Sequence, residues 1–255
     1  LFFEPASKSL RMSRGTEFIM KTFASFTLPA FLVLLGFNAR WGAEPSSKWF
    51  SVPHAKFCVT EGAIEQASGN RISVNVPKMR AFVTAATTQD VEARFTYFGK
   101  TAGEKPLGSG EMRRQFGLKL RAQDACNLVY AMWRIEPESK LVVSVKSNPG
   151  QHTSAECANR GYRNIKPIHS RPVPVLRPGV THTLRAELNE AEMRVYADNN
   201  LVWEGNVGPE AGRLSGPVGI RSDNAKLEIE LRAGQSSGPH PDYQLSCRPG
   251  SGEVE

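Results

Sequence analysis

From about Ser51 to Ala233 the chain is a succession of short segments in which apolar and polar residues alternate, each closed by residues that favour turns. The runs "VEARFTYFG", "RQFGLKLRA", "KLVVSVKS", "HTLRAELN", "EMRVYAD" and "AKLEIELRA" show this period of two, and "PESK", "SNPG", "RPGV", "NEAE", "DNN" and "SDNA" stand between such runs. A period of two sends successive side chains to opposite faces of a strand, whereas a helix needs apolar residues three or four apart. After residue 43 no helix-length stretch has the helical period. About 180 residues of strand and turn are enough for one all-β domain that buries its core between two packed antiparallel sheets.

Alternation also assigns the faces. Leu118 and Leu120 point one way in "FGLKLRA" and Lys119 and Arg121 the other. In the same way Leu141, Val143 and Val145 oppose Val142, Ser144 and Lys146. Leu184, Ala186 and Leu188 point inward, leaving Arg185 and Glu187 outside, and Leu227, Ile229 and Leu231 oppose Lys226, Glu228 and Glu230. The leucine, isoleucine and valine sets form the expected core. "NLVYAMWRI" is apolar on both sides, as in a central strand covered on both faces, with Tyr130, Met132 and Arg134 sharing one of them.

The compartment follows from the other end of the chain. Arg11, Arg14 and Lys21 precede "TFASFTLPAFLVLLGFNA", which has no charge and is most apolar from Phe23 to Phe37. A basic segment followed by a short apolar one is the pattern of an export signal, and the run is short for a membrane span and interrupted by Pro29. We therefore expect a signal peptide over 20–43, with an uncleaved anchor as the weaker alternative, and a secreted or periplasmic protein with no stable membrane insertion after processing. The chain starts with Leu while Met12 and Met20 are better initiators, so 1–19 is read as an untranslated or incidental leader. The remaining divisions are a linker over 44–54, the sandwich over 55–233, and an irregular Gly, Pro and Ser rich tail over 234–255.

The formal net charge of +7 includes a net +3 within residues 1–43, leaving +4 for the exported part. So mild an excess keeps a domain soluble, and without a recognition motif it does not point to nucleic acid. Export implies oxidising surroundings, and the four cysteines, Cys58, Cys126, Cys157 and Cys247, make two disulfides the default in one of three connectivities. No CxxC pair is present to suggest zinc.

"HTLRAELNEAEMRVYADNNLVWEGNV" followed by "GPVGIRSDNAKLEIELRA" resembles the closing strands of concanavalin A-like jelly rolls, the lectin, laminin-G-like and glucanase sandwiches with their keto-disaccharide-hydrolase-like members. "FGLKLRAQDACNLVYAMWRI" is similar to an earlier strand pair of the same family, so the resemblance covers about residues 55–233. It implies a two-sheet antiparallel jelly-roll sandwich, preceded here by the export-signal helix, and it specifies fold better than function. The spaced acidic cluster of the glucanase members is missing, as are the legume-lectin clusters of Asp and Asn. No catalytic residue, metal site or cofactor is expected on that basis, and calcium stays open without being indicated. Asp198, Asn199 and Asn200 read as turn residues that tolerate left-handed backbone, and Asp223 and Asn224 read the same way.

The stretch "SVKSNPGQHTSAECANRGYRN" holds His152 and Cys157, a tempting nucleophile and base. The hairpin from Asn127 to Arg134 and back from Lys140 to Ser147 returns the chain toward Cys126, so a Cys126–Cys157 brace is the better reading, leaving Cys58 to Cys247. His152, His169 and His182 are expected to be solvated or hydrogen-bonded singly.

The leading expectation for function is a glycan-binding module of cell wall or extracellular matrix, monomeric, using a concave sheet face. Lys119, Arg121, Tyr130, Arg134, Lys146 and Glu187 are the candidate ligand residues, because rings stack on sugars while charged side chains bind hydroxyls and Arg and Lys also bind carboxylates. Competing expectations are a glycoside hydrolase or lyase with Glu187 or Glu228 beside Tyr130 and Arg134, and a structural or protein-binding sandwich.

Overall fold

The structure, a computed structural model, describes residues 49–84 and 88–234. The stretches read as leader and signal peptide, the tail beyond Gly234 and with it Cys247 lie outside these residues. The strands are β1 (Trp49–Ser51), β2 (Phe57–Glu61), β3 (Glu65–Gln66), β4 (Arg71–Val74), β5 (Lys78–Val83), β6 (Asp90–Lys100), β7 (Arg114–Leu120) and β8 (Leu128–Glu136). They continue as β9 (Lys140–Lys146), β10 (Tyr162–Asn164), β11 (His169–Ser170), β12 (Thr181–Asn189), β13 (Glu192–Ala197), β14 (Asn200–Asn206), β15 (Gly219–Asp223) and β16 (Ala225–Gly234). Two one-turn helices, α1 (Ser154–Cys157) and α2 (Pro209–Arg213), interrupt them.

Among the described residues these strands form a nine-stranded sheet, in the order β11-β14-β13-β12-β6-β16-β4-β3 with β1 also on β16, and a seven-stranded sheet, β10-β9-β8-β7-β15-β5-β2. Pairing is antiparallel wherever two of these strands meet. The expected two-sheet jelly-roll sandwich is thus the architecture found. One boundary differs: Trp49–Ser51, inside the stretch read as a linker, is a strand paired with Arg232–Gly234.

The core forms where alternation puts it. Leu118, Leu120, Val143, Val145, Leu184, Ala186, Leu188, Leu227, Ile229 and Leu231 are buried between the sheets, and Leu141 packs against them. Phe95 of β6 packs on Phe116 of β7 at 4.7 Å between ring centroids and on Trp133 of β8 at 5.8 Å, edge to face, so aromatic contacts tie one sheet to the other. The Asp198–Asn199 turn between β13 and β14 has φ of 49° and 63°, the left-handed hairpin geometry that Asp and Asn tolerate. β8 lies between β7 and β9 and is buried on both faces, which its unbroken apolar run predicts.

Candidate functional site

On the outer face of the seven-stranded sheet the side chains that alternation turns away from the core converge on a groove of about 290 Å³. Its floor is Tyr130 and Met132 of β8 with Ser144 and Val142 of β9. Gly117 of β7 lies opposite Met132, where an added Cβ would sit 2.5 Å from the Met132 sulfur and 2.3 Å from the Ala131 carbonyl oxygen. Glycine here lets the thioether lie flat along the floor.

Two segments wall the groove. One runs from 101 to 113 and contributes Leu107, Ser109, Glu111 and Arg113. It is held by Asn224, buried with φ of 55°, whose amide accepts from the Lys105 N–H at 2.9 Å and donates to the Lys105 and Arg113 carbonyls at 2.8 and 2.9 Å. The other wall comes from the 147–164 excursion, which contributes Asn159, Tyr162 and Asn164. A Cys126–Cys157 disulfide, Cα atoms 5.9 Å apart, pins this excursion to the start of β8. The pairing is the expected brace, so Cys157 is no nucleophile. The Asn148 side chain adds bonds to the Cys126 and Arg160 carbonyls, and Glu156 accepts from the His152 and Thr153 N–H groups at the start of α1.

Aromatic rings and cations meet at the centre. Tyr162, at 36% exposure, stacks on buried Tyr130 with centroids 6.0 Å apart and planes 25° from parallel. The Arg221 guanidinium lies 5.4 Å from the Tyr130 centroid and donates to the Tyr162 hydroxyl at 3.2 Å, and Lys146 Nζ lies 4.9 Å from the Tyr162 centroid. Beneath them Asp223 is completely buried, accepting from Arg80 at 2.6 Å, Gln115 at 2.7 Å and Arg221 at 2.9 Å. Burial alone would push its carboxyl up, but Arg221 and Arg80 prevail and hold it well below the usual carboxylate range.

The residues predicted from sequence fall into three groups. Tyr130 and Arg134 line the groove. Lys119 and Lys146 share that side of the sheet, but each is only 2% exposed and neither is free, which corrects the expectation of an open basic surface. Arg121 and Glu187 are elsewhere. Arg121, at φ of 48° just past β7, donates to the Ala211 carbonyl of α2 at 2.8 Å, and burial lowers its pKa. Glu187 is on β12 of the other sheet, accepting from the Tyr196 hydroxyl at 3.2 Å and pairing with Arg185. Glu228 is also on that sheet, bound to Arg71 at 2.8 Å, so neither glutamate stands beside Tyr130 and Arg134. Among the described residues Glu111 is the carboxylate that lines the groove, and Arg113 clasps it through both oxygens.

Asp223 corrects a second expectation, being the buried centre of an ion-pair network rather than a turn residue, while Asn224 beside it does take the left-handed turn. The histidines each hold one partner: His152 on Asp124 and His182 on Asp198, both at 2.8 Å, and His169 on Arg171 at 3.2 Å. Among the described residues no group of three or more His, Cys, Asp or Glu side chains is placed to hold a metal ion. Sequence reasoning missed Tyr162, Asn164 and Arg221. The signal for the first two was there, because "GYRN" alternates and β10 pairs with β9 in a register that sets Tyr162 beside Lys146 and Asn164 beside Ser144.

No protein-family model matches the chain, and no curated protein sequence matches it. Solved structures with a similar arrangement include the carbohydrate-binding module CBM66 from Bacillus subtilis, with 14% identity over 71% of this chain and 96% of that one and a TM-score of 0.48. The Emp47p carbohydrate recognition domain is similar at 12% identity, over 76% and 99% of the two chains, with a TM-score of 0.46. A glycosyl hydrolase assigned only provisionally, from Parabacteroides distasonis, has 8% identity over 72% and 91%, with a TM-score of 0.46.

Proposed function

We propose that this chain is a carbohydrate-binding β-sandwich that takes glycan in the groove on its seven-stranded sheet. The observation that carries the reading is the Tyr162 ring, partly exposed at the groove and backed by Tyr130, with Ser144, Asn164 and Asn159 around it. A sugar presents one apolar C–H face and a rim of hydroxyls, so it needs a ring to lie on and short polar side chains at its edge. Glu111 serves the wall through Arg113, and a two-carboxylate hydrolysis would need a second acid about 5–9.5 Å away in the same groove. The protein works outside the cytosol in this reading. The uncharged apolar run after Lys21 and the Cys126–Cys157 bridge support that, and no described helix is long and apolar enough to cross a membrane.

A glycan array probed with the purified protein tests the reading. Hits are expected, and Tyr162→Ala should weaken the best of them by roughly tenfold or more through lost stacking and burial. Binding that survives Tyr162→Ala unchanged in a folded variant would move the site off this groove.

A further inference from the structure

Arg134 is the odd charge on this face. Its side chain is half-buried and lines the groove, and it also lines a second cleft of about 290 Å³ between the start of β9 and Pro167, Ser170 and Trp203. The two clefts share Arg134, Val142 and Asn164, so the guanidinium stands where they join. Among the described residues it makes no hydrogen bond and no ion pair, and its Nε is shielded from solvent without an acceptor.

Its charged neighbours do not compensate it. Glu111 is clasped by Arg113, and Glu138 is bound by Lys140. Three cations thus face two carboxylates, each already taken, which leaves one positive charge unmatched at the junction. Burial and the nearby Arg113 both disfavour the charged form of Arg134, while Glu111 and Glu138 only partly offset them. Guanidinium does not give up its proton in proteins, so the charge stays at the junction, solvated only on its open side, and an anion arriving there would be favoured. A planar fork of donors is also the group best matched to the paired oxygens of a carboxylate or sulfate.

We infer that the glycan taken by this groove is acidic, and that Arg134 receives the anionic oxygens of a carboxylated or sulfated sugar at the junction of the two clefts. This rests on the carbohydrate-binding reading and adds to it the chemical class of the ligand. Tyr162 recognises the sugar face, and Arg134 selects the charge.

The test uses an array carrying uronate, sialylated and sulfated glycans, each beside its methyl-esterified or desulfated counterpart, with neutral glycans and polyglutamate as further spots. The purified protein, Arg134→Gln, Arg134→Lys and Tyr162→Ala are each checked for folding by thermal melting before they are applied. Binding is expected among the acidic glycans, and Arg134→Gln should lower it about tenfold or more, with partial recovery in Arg134→Lys. Whichever neutralised counterpart loses binding tells carboxylate from sulfate. If Arg134→Gln does not fold, the unaltered protein still decides, because its affinity for the acidic glycan should fall as salt rises and its affinity for the neutral counterpart should not. Equal binding of an acidic glycan and its neutral counterpart, sensitive to Tyr162→Ala alone, would overturn the acidic ligand and leave the carbohydrate reading standing. Binding of polyglutamate as strong as any glycan, indifferent to Tyr162→Ala, would overturn it in favour of a general anion site. A folded protein that binds nothing on the array would overturn both.

Discussion

The two outer faces of the sandwich are built from the same kinds of residue and treat them differently. On the nine-stranded sheet the charges answer one another, across neighbouring strands in Arg71 with Glu228, Arg232 with Glu92 and Arg194 with Glu204, and along one strand in Arg185 with Glu187, at 2.7–3.2 Å. Tyr196 on that face is covered by Arg185, 4.1 Å from its ring centroid. On the seven-stranded sheet Arg80 and Asp223 are sunk completely, others pair near the surface as Lys140 does with Glu138 and Arg163 with Glu210, and Arg134 stays unmatched beside a groove with a tyrosine ring at its surface. A strand face whose charges are paired with one another has little left to offer a ligand. Unused donors and an exposed ring, held over a rigid base, are what a binding face requires.

The difference can be broken first at the buried network. Asp223→Ala leaves Arg80 and Arg221 without their shared carboxylate, and should cost roughly 3–5 kcal/mol in chemical denaturation because two buried cations lose their partner. The same carboxyl sets an acid limit. Its folded pKa lies below the unfolded value of about 3.9, so its stabilisation is complete above that value and is lost as pH falls through the folded one. Between pH 8 and 5 the network should contribute no slope to stability, and a midpoint that drifts across that range in step with Asp223→Ala would contradict it.

Next in size is the covalent wall. Cys126→Ser and Cys157→Ser should each lower stability by about 2–4 kcal/mol, and the double variant should be little worse than either, because one bond is lost in all three. Additive losses would show that the two cysteines act separately. On the nine-stranded face Glu228→Gln removes a partly exposed ion pair and should cost no more than about 1 kcal/mol, with glycan binding unchanged. A loss of binding there would erase the distinction between the faces.

The smallest effect belongs to His152. The hydrogen bond that His152 donates to Asp124, and then the Asp124 charge, raise the His152 pKa, so that contribution is present below the unfolded value near 6.5 and is lost as pH rises through the folded one. The ring is largely exposed, so His152→Ala should leave the melting temperature nearly unchanged, and salt should remove what pH dependence there is.

Which side of each strand meets the core was legible in the sequence, because period two is a property of the chain itself: Leu118 and Leu120 went in, and Lys119 went out. How deeply the outward side is buried was not legible, since it depends on what lies across it in space, and Lys119 and Lys146 are sunk where exposure was expected. The Cys126–Cys157 pair was readable because a hairpin brings its own ends together. Asp223 was misread as a turn residue because "SDNA" does contain a turn one residue later, and only Arg80, 143 positions away, shows why an aspartate is buried there. Tyr162 escaped notice because its strand has three residues and is recognisable mainly by its partner β9.

Mapping amide chemical-shift changes on titration with the best array glycan tests the central claim most directly. Changes concentrated at Ser144, Asn159, Tyr162 and Asn164, and absent from Arg185, Tyr196 and Glu204, are the predicted result. Changes centred on Arg185 and Tyr196 instead would place the ligand on the nine-stranded sheet and contradict the account.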